Sequence, residues 1–189
     1  ASTGEFVTAG KFYASAKITK ATADAAGKVT VTFSVLDKDG KTAYTKLTSC
    51  NAAIAKLVPG TNNSPSAWVP YIYRTETVSG TTYPKADGTK AEQGYRESSS
   101  TGTFTNNNDG TYTYVFGTDI SKAKTPVGAK AITYDRKLTH RVTIMFGGHA
   151  GATAEAFYDF VPDGTSTGIT RDIVQTATCA NCHGEKDFH

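Results

Sequence analysis

A chain of 189 residues with 38% hydrophobic and 20% charged residues is ordinary for a soluble domain and long enough to bury one substantial core or two small ones. A net charge of +3 is too mild for a nucleic-acid surface, which needs clustered Lys and Arg on one motif. No run approaches the roughly 18 consecutive apolar residues of a membrane span, and no signal-peptide pattern precedes the opening ASTGEF, so the sequence reads as a processed, soluble form.

Strict alternation sets the first elements. Phe12, Ala14, Ala16 and Ile18 share one face of a segment, and Val29, Val31, Phe33 and Val35 share one face of the next, the pattern of half-buried strands. DKDG at 37–40 follows as a turn. In SCNAAIAKLVPG, 49–60, the alanines suit a helix, but Pro59 and Gly60 leave barely two turns, and the stretch reads as a strand. AWVPYIYRTETV, 67–78, is aromatic and β-branched, and Pro70 confines it to an edge or a bulge. Residues 79–103, rich in Gly, Ser, Thr and Lys, read as a long surface loop. NNNDG at 106–110 separates Phe104 from Tyr112, Tyr114 and Phe116, which is a hairpin signal. Leu138, Val142, Ile144 and Phe146 then alternate with polar residues, as do Ala156, Tyr158 and Phe160 before VPDG ends the pattern. With about seven or eight short strands and no helix beyond a turn or two, residues 1–168 read as an all-β antiparallel sandwich or barrel. Residues 169–189 follow as a connecting strand and a terminal motif.

That motif lies in QTATCANCHGEKDFH. Cys179 and Cys182 stand three positions apart and His183 follows directly. C-x-x-C-H is the attachment signature of a c-type haem: the two thiols form thioethers with the vinyl groups and the next histidine ligates the iron. Three other readings compete. A structural zinc site would use Cys179, Cys182, His183 and His189, whose spacing fits finger-like pairs. Such sites, however, put a long connector between the cysteine and histidine pairs, and here His183 is bonded directly to Cys182. A redox dithiol would open a helix after a strand in a βαβ setting, which the sequence does not offer. Chance is the fourth. Covalent haem c accounts for the spacing best, and its attachment implies maturation outside the cytoplasm, hence a periplasmic or extracellular place. Cys50 is then left without a partner in the chain and reads as a buried, inert thiol.

Reach limits the second axial ligand. His189 lies about 9 Å beyond His183 if the segment is helical, and at most about 20 Å away if extended, so it is not expected to curl over the same ring. Met145 alternates with Arg141 and Thr143 on a polar strand face, and a methionine would raise the potential above that of bis-histidine haems. Bis-histidine ligation is expected, with the distal histidine from outside the chain, and His149 in FGGHAG is the fallback within it.

Two rival functions leave other traces. Trp68, Tyr71, Tyr73 and Tyr95 would be the stacking surface of a polysaccharide- or flavin-binding module, although aromatics in a strand are more often core. A haem enzyme would need a distal acid or base, for which His140 and His149 are the candidates. His140 is in phase with Val142 and Ile144 and reads as a core histidine, so the chain reads as an electron carrier rather than an enzyme. Lys122, Lys124, Lys130, Arg136, Lys137 and Arg141 precede the acidic run Glu155, Asp159, Asp163, Asp172, Glu185 and Asp187, and both read as solvated surfaces.

From about residue 52 to the end, AKLVPGTNNSPSAWVPYIYRTE, NNNDGTYTYVF, EAFYDFVPDG and TRDIVQTATCANCHGEKDFH occur in an order that resembles the first domain of the OmcA/MtrC-type outer-membrane decahaem cytochromes. The resemblance implies a Greek-key split β-barrel ahead of a multihaem domain. It implies passage of electrons across the cell surface to minerals, flavins or partner cytochromes. It also implies thioethers at Cys179 and Cys182, His183 as proximal ligand, and His189 as a ligand of a haem in the domain that follows. Only one C-x-x-C-H is present, so the chain reads as a fragment of a larger cytochrome.

Overall fold

Period-two alternation is realised as two antiparallel sheets packed face to face. The computed structural model describes residues 14–77, 90–147 and 150–165. Among them eleven strands run in chain order: β1 (Ser15–Ala23), β2 (Val29–Leu36), β3 (Asn51–Val58), β4 (Ala67–Pro70), β5 (Tyr73–Thr77), β6 (Lys90–Gly94), β7 (Glu97–Ser98), β8 (Thr103–Asn106), β9 (Thr111–Val115), β10 (His140–Phe146) and β11 (Ala154–Phe160). One sheet has the order β1-β2-β9-β8 and the other β11-β10-β3-β4, with β7 also paired to β3; β5 and β6 form a separate hairpin. A short 3-10 turn, Ile120–Lys122, follows β9.

The inward face of β2 carries Val29, Val31, Phe33 and Val35, all fully buried. It meets Val142, Ile144 and Phe146 of β10, and the Phe33 and Phe146 rings stack with centroids 6.5 Å apart. Each such large apolar side chain taken from water contributes about 1.5–3 kcal/mol. In β1 the inward residues are Ala16 and Ile18, then Ala21 and Ala23, because a bulge between Ile18 and Lys20 shifts the phase by one. Phe12, expected to extend this face, lies outside the described residues.

The alanine-rich 49–60 stretch is the strand β3, as its proline and glycine demanded. The turns also form where expected: Gly40 adopts φ +68° and its N–H donates to the Asp37 carbonyl at 2.8 Å. The expected all-β antiparallel sandwich or split barrel forms, and among the described residues it does not close. β1 satisfies its ladder with β2, and β11 with β10; the two lie side by side, with Ala14 N–H donating to the Thr153 carbonyl at 3.0 Å, but no ladder joins them. One expectation needs correction: 79–103 is not one loop. It contains β6 and β7, which carry no alternation because β6 is exposed throughout and is held by backbone pairing to β5. Residues 78–89 lie outside the described residues. The expected strand through Ala156, Tyr158 and Phe160 is β11, although Tyr158 is not core. It is 37% exposed and its neighbour Phe157 54%, because β11 is the end strand of its sheet.

One buried carboxylate ties the sheets together. Glu97 on β7 accepts from Tyr114 Oη of β9 at 3.0 Å, from the Gly117 and Thr118 backbone N–H groups at 2.8 and 3.0 Å, and from Thr118 Oγ1 at 2.5 Å. Removing it strands several buried donors at once. Glu97→Ala should therefore destabilise the protein by about 3 kcal/mol, read from the urea midpoint, and a loss below about 0.5 kcal/mol would contradict this role.

Candidate functional site

Cys179, Cys182, His183 and His189 lie outside the described residues, and so does His149. What the structure does place is His140, Cys50 and the four aromatics.

His140 is fully buried. Its Nδ1 is 2.8 Å from the Leu138 carbonyl oxygen, which only accepts, so Nδ1 carries the proton. Nε2 is then the acceptor, and Tyr71 Oη donates to it at 2.9 Å. The two rings stack with centroids 5.6 Å apart, and Tyr134 packs edge-on against both. Both ring nitrogens are occupied, so His140 has no lone pair left for an iron or a substrate. Burial holds it below the usual imidazole range, against the Leu138 carbonyl, which favours the protonated ring. Cys50 is buried, and burial pushes its thiol up to about 12, the inert state expected.

The four aromatics separate. Tyr71 belongs to the core, whereas Trp68, Tyr73 and Tyr95 are partly or more fully exposed. Trp68 and Tyr95 line an open cleft of about 580 Å³ on the outward face of the second sheet. Its floor follows from strand register. Ala53 lies opposite Thr143, and Ala55 lies between Arg141 and Pro70, so two methyl groups take the place of long side chains. Met145 shares this outward face with Arg141 and Thr143, as their alternation implied. The β5–β6 hairpin raises one wall with Arg74, Gln93 and Gly94, beside Tyr95 and Arg96.

Three guanidinium groups stack on aromatic rings here. Arg141 lies 4.7 Å from the Trp68 centroid and 4.3 Å from that of Phe157; Arg74 and Arg96 lie 4.3 and 5.4 Å from that of Tyr95. Arg141 also forks onto both Asp159 oxygens at 2.7 and 2.8 Å. The basic and acidic runs that looked separate along the chain therefore meet across strands β10 and β11. Arg74 pairs with Glu76 at 2.6 Å and donates to Gln93 Oε1. Sequence reading took Arg141 for part of a solvated basic run and missed Arg74, Arg96 and the alanine floor. The available signal was the pair of alanines at outward positions of β3, where a solvent-facing strand normally carries Thr or Lys.

Among the described residues no group of three or more His, Cys, Asp or Glu is placed to hold a metal ion, and no helix is long and apolar enough to cross a membrane. The two-sheet fold with its appended hairpin defines an all-β domain. The profile of the OmcA-like N-terminal domain matches residues 15–170, and the chain belongs to that family. It is similar to the outer membrane decahaem cytochrome OmcA, at 28% identity and TM-score 0.67 over 90% of this chain and 26% of that one. MtrC from Shewanella baltica OS185 shares the fold, at 21% identity and TM-score 0.61 over 92% of this chain and 27% of that one. The chain thus spans about a quarter of the length of each. No curated protein matches it.

The buried imidazole gives a test in acid. The folded pKa of His140 lies below the unfolded value of about 6.5, so the unfolded chain takes up the proton first. The neutral-ring contribution is complete above about pH 6.5 and falls below it, by up to about 1.4 kcal/mol per pH unit, until the folded ring also titrates. Urea denaturation between about pH 5.5 and 7 should show this slope, and His140→Gln should flatten it at the cost of a lower overall stability.

Proposed function

We propose that the chain is the N-terminal β domain, through residue 168, and the first haem-attachment segment, 169–189, of an outer-membrane multihaem cytochrome that carries electrons at the cell surface. The observation that carries this reading is a C-x-x-C-H at 179–183 following directly on a domain whose family match ends at residue 170. Similarity to OmcA, an outer membrane decahaem cytochrome, supports the cell-surface location.

The donor set fits a covalent haem c. Cys179 and Cys182 offer two thiols at the spacing thioether formation needs, and His183 sets an imidazole beside them as proximal ligand. A bound haem supplies one-electron transfer with no proton chemistry of its own. His189, too near in sequence to curl over that ring, serves a neighbouring haem. The distal histidine of the first haem comes from another part of the parent protein, with His149 as the alternative within this chain. The β domain acts as a spacer and docking platform for other haem domains or partner cytochromes, and the final acceptor is a mineral, a flavin or such a partner.

Two measurements check this. The denatured protein should keep haem-dependent peroxidase staining after acid extraction, and Cys179→Ala or Cys182→Ala should weaken it; bound zinc and unmodified thiols would contradict it. The near-infrared magnetic circular dichroism of the oxidised protein should lack a methionine charge-transfer band, and His149→Ala should leave the spectrum unchanged.

A further inference from the structure

We infer that Tyr71 and His140 form a redox pair inside the core: to a strong one-electron oxidant, such as an oxygen-derived radical, Tyr71 gives an electron while its phenolic proton crosses to His140 Nε2. This goes beyond haem electron transfer and rests on the β domain alone.

The proton decides where a tyrosine is oxidised. Loss of an electron turns the phenol O–H into a strong acid, so oxidation is easy only where a base stands within hydrogen-bond reach, about 2.6–3.2 Å. Tyr71 Oη donates to His140 Nε2 at 2.9 Å. His140 Nδ1 keeps its own proton on the Leu138 carbonyl at 2.8 Å, which turns the basic lone pair toward the phenol. Burial pushes the Tyr71 phenol up, so at neutral pH the proton is still on the oxygen and must leave with the electron. The step puts one electron on the oxidant and leaves a neutral phenoxyl radical on Tyr71 and an imidazolium on His140. Because the proton stays within the pair, re-reduction of Tyr71 returns it to the oxygen. The Lys56 ammonium, 5.9 Å from the Tyr71 ring centroid, opposes the positive charge, and the Asp135 carboxylate offsets part of that opposition.

The other two fully buried tyrosines among the described residues have poorer bases. Tyr112 donates to the Tyr44 carbonyl at 2.6 Å, and a backbone carbonyl is too weak a base to take the proton. Tyr114 donates to the Ser98 carbonyl and to Glu97, whose oxygens already hold Gly117 and Thr118. At 2% exposure Tyr71 is also shielded from the coupling reactions that consume radicals at a surface. Tyr134, half-buried and edge-on to Tyr71 with centroids 6.4 Å apart, is the ring through which the electron reaches the surface.

The test is flash photolysis of the fully oxidised protein with tris(bipyridine)ruthenium(II) and a sacrificial electron acceptor, so that photogenerated ruthenium(III) is the oxidant. Transient absorption of the phenoxyl band gives the rate of formation, and electron paramagnetic resonance of freeze-trapped samples gives the product. A long-lived neutral tyrosyl radical is expected. Tyr71→Phe, which keeps the ring and removes only the hydroxyl, should abolish it, whereas Tyr112→Phe and Tyr114→Phe should leave it. His140→Gln can accept the hydrogen bond but not the proton, and should slow formation about a hundredfold, the low end for a lost general base. Deuterated water should slow formation in the unaltered protein. Absence of a long-lived tyrosyl signal, its survival in Tyr71→Phe, or a rate indifferent to both His140→Gln and deuterated water would overturn the proposal.

Discussion

The rest of the domain depends on one meeting of faces: β2 and β10, from different sheets, press Phe33 against Phe146 and seal Val31, Val142 and Ile144 between them. Because side chains alternate along a strand, burying one face fixes the other. Placing Val142, Ile144 and Phe146 inward obliges Arg141, Thr143 and Met145 to face out, and placing Ala52 and Ile54 inward does the same for Ala53 and Ala55. The register that closes the core therefore also lays the cleft floor, and a slip of one residue in β10 would bury an arginine and dissolve both.

Polar groups refine this packing. Glu97, His140 and Lys56 are all buried, and among the described residues no buried side-chain nitrogen or oxygen lacks a partner. Lys56 occupies an inward position of β3 and donates its ammonium to the Thr133 carbonyl, while Glu97 gathers donors from β9 and the turn after it. Each group ties a segment without regular structure to a sheet. They add directional constraints to a core that hydrophobic burial alone would hold less uniquely.

How much of this was legible in the sequence follows from where each signal resides. β2, β10 and the hairpin around NNNDG announce themselves because one buried face imposes period two, and the alanines of β3 did not mislead because Pro59 and Gly60 ruled out a helix. β6 left no such trace, since exposed residues held by backbone pairing can be almost anything, and β7 is two residues long with a buried glutamate, too short and too polar to show a period. Tyr158 alternated correctly but sits on an end strand that leaves it 37% exposed. The pairing of Arg141 with Asp159, and the cleft as a whole, required knowing that β3 lies between β4 and β10, a long-range arrangement no local pattern encodes. The terminal motif is the opposite case: its chemistry is confined to Cys179, Cys182 and His183, so five consecutive positions carry the reading.

In this account an all-β domain, its sheets held by core packing and the buried Glu97 carboxylate, continues into the segment proposed to attach the first haem. The most direct test is mass spectrometry of the tryptic peptide running from Asp172 to Lys186, taken from protein matured in its native compartment. The account predicts that this peptide carries one covalently bound haem at its two cysteines. Recovery of the peptide with both thiols free to alkylate would contradict it.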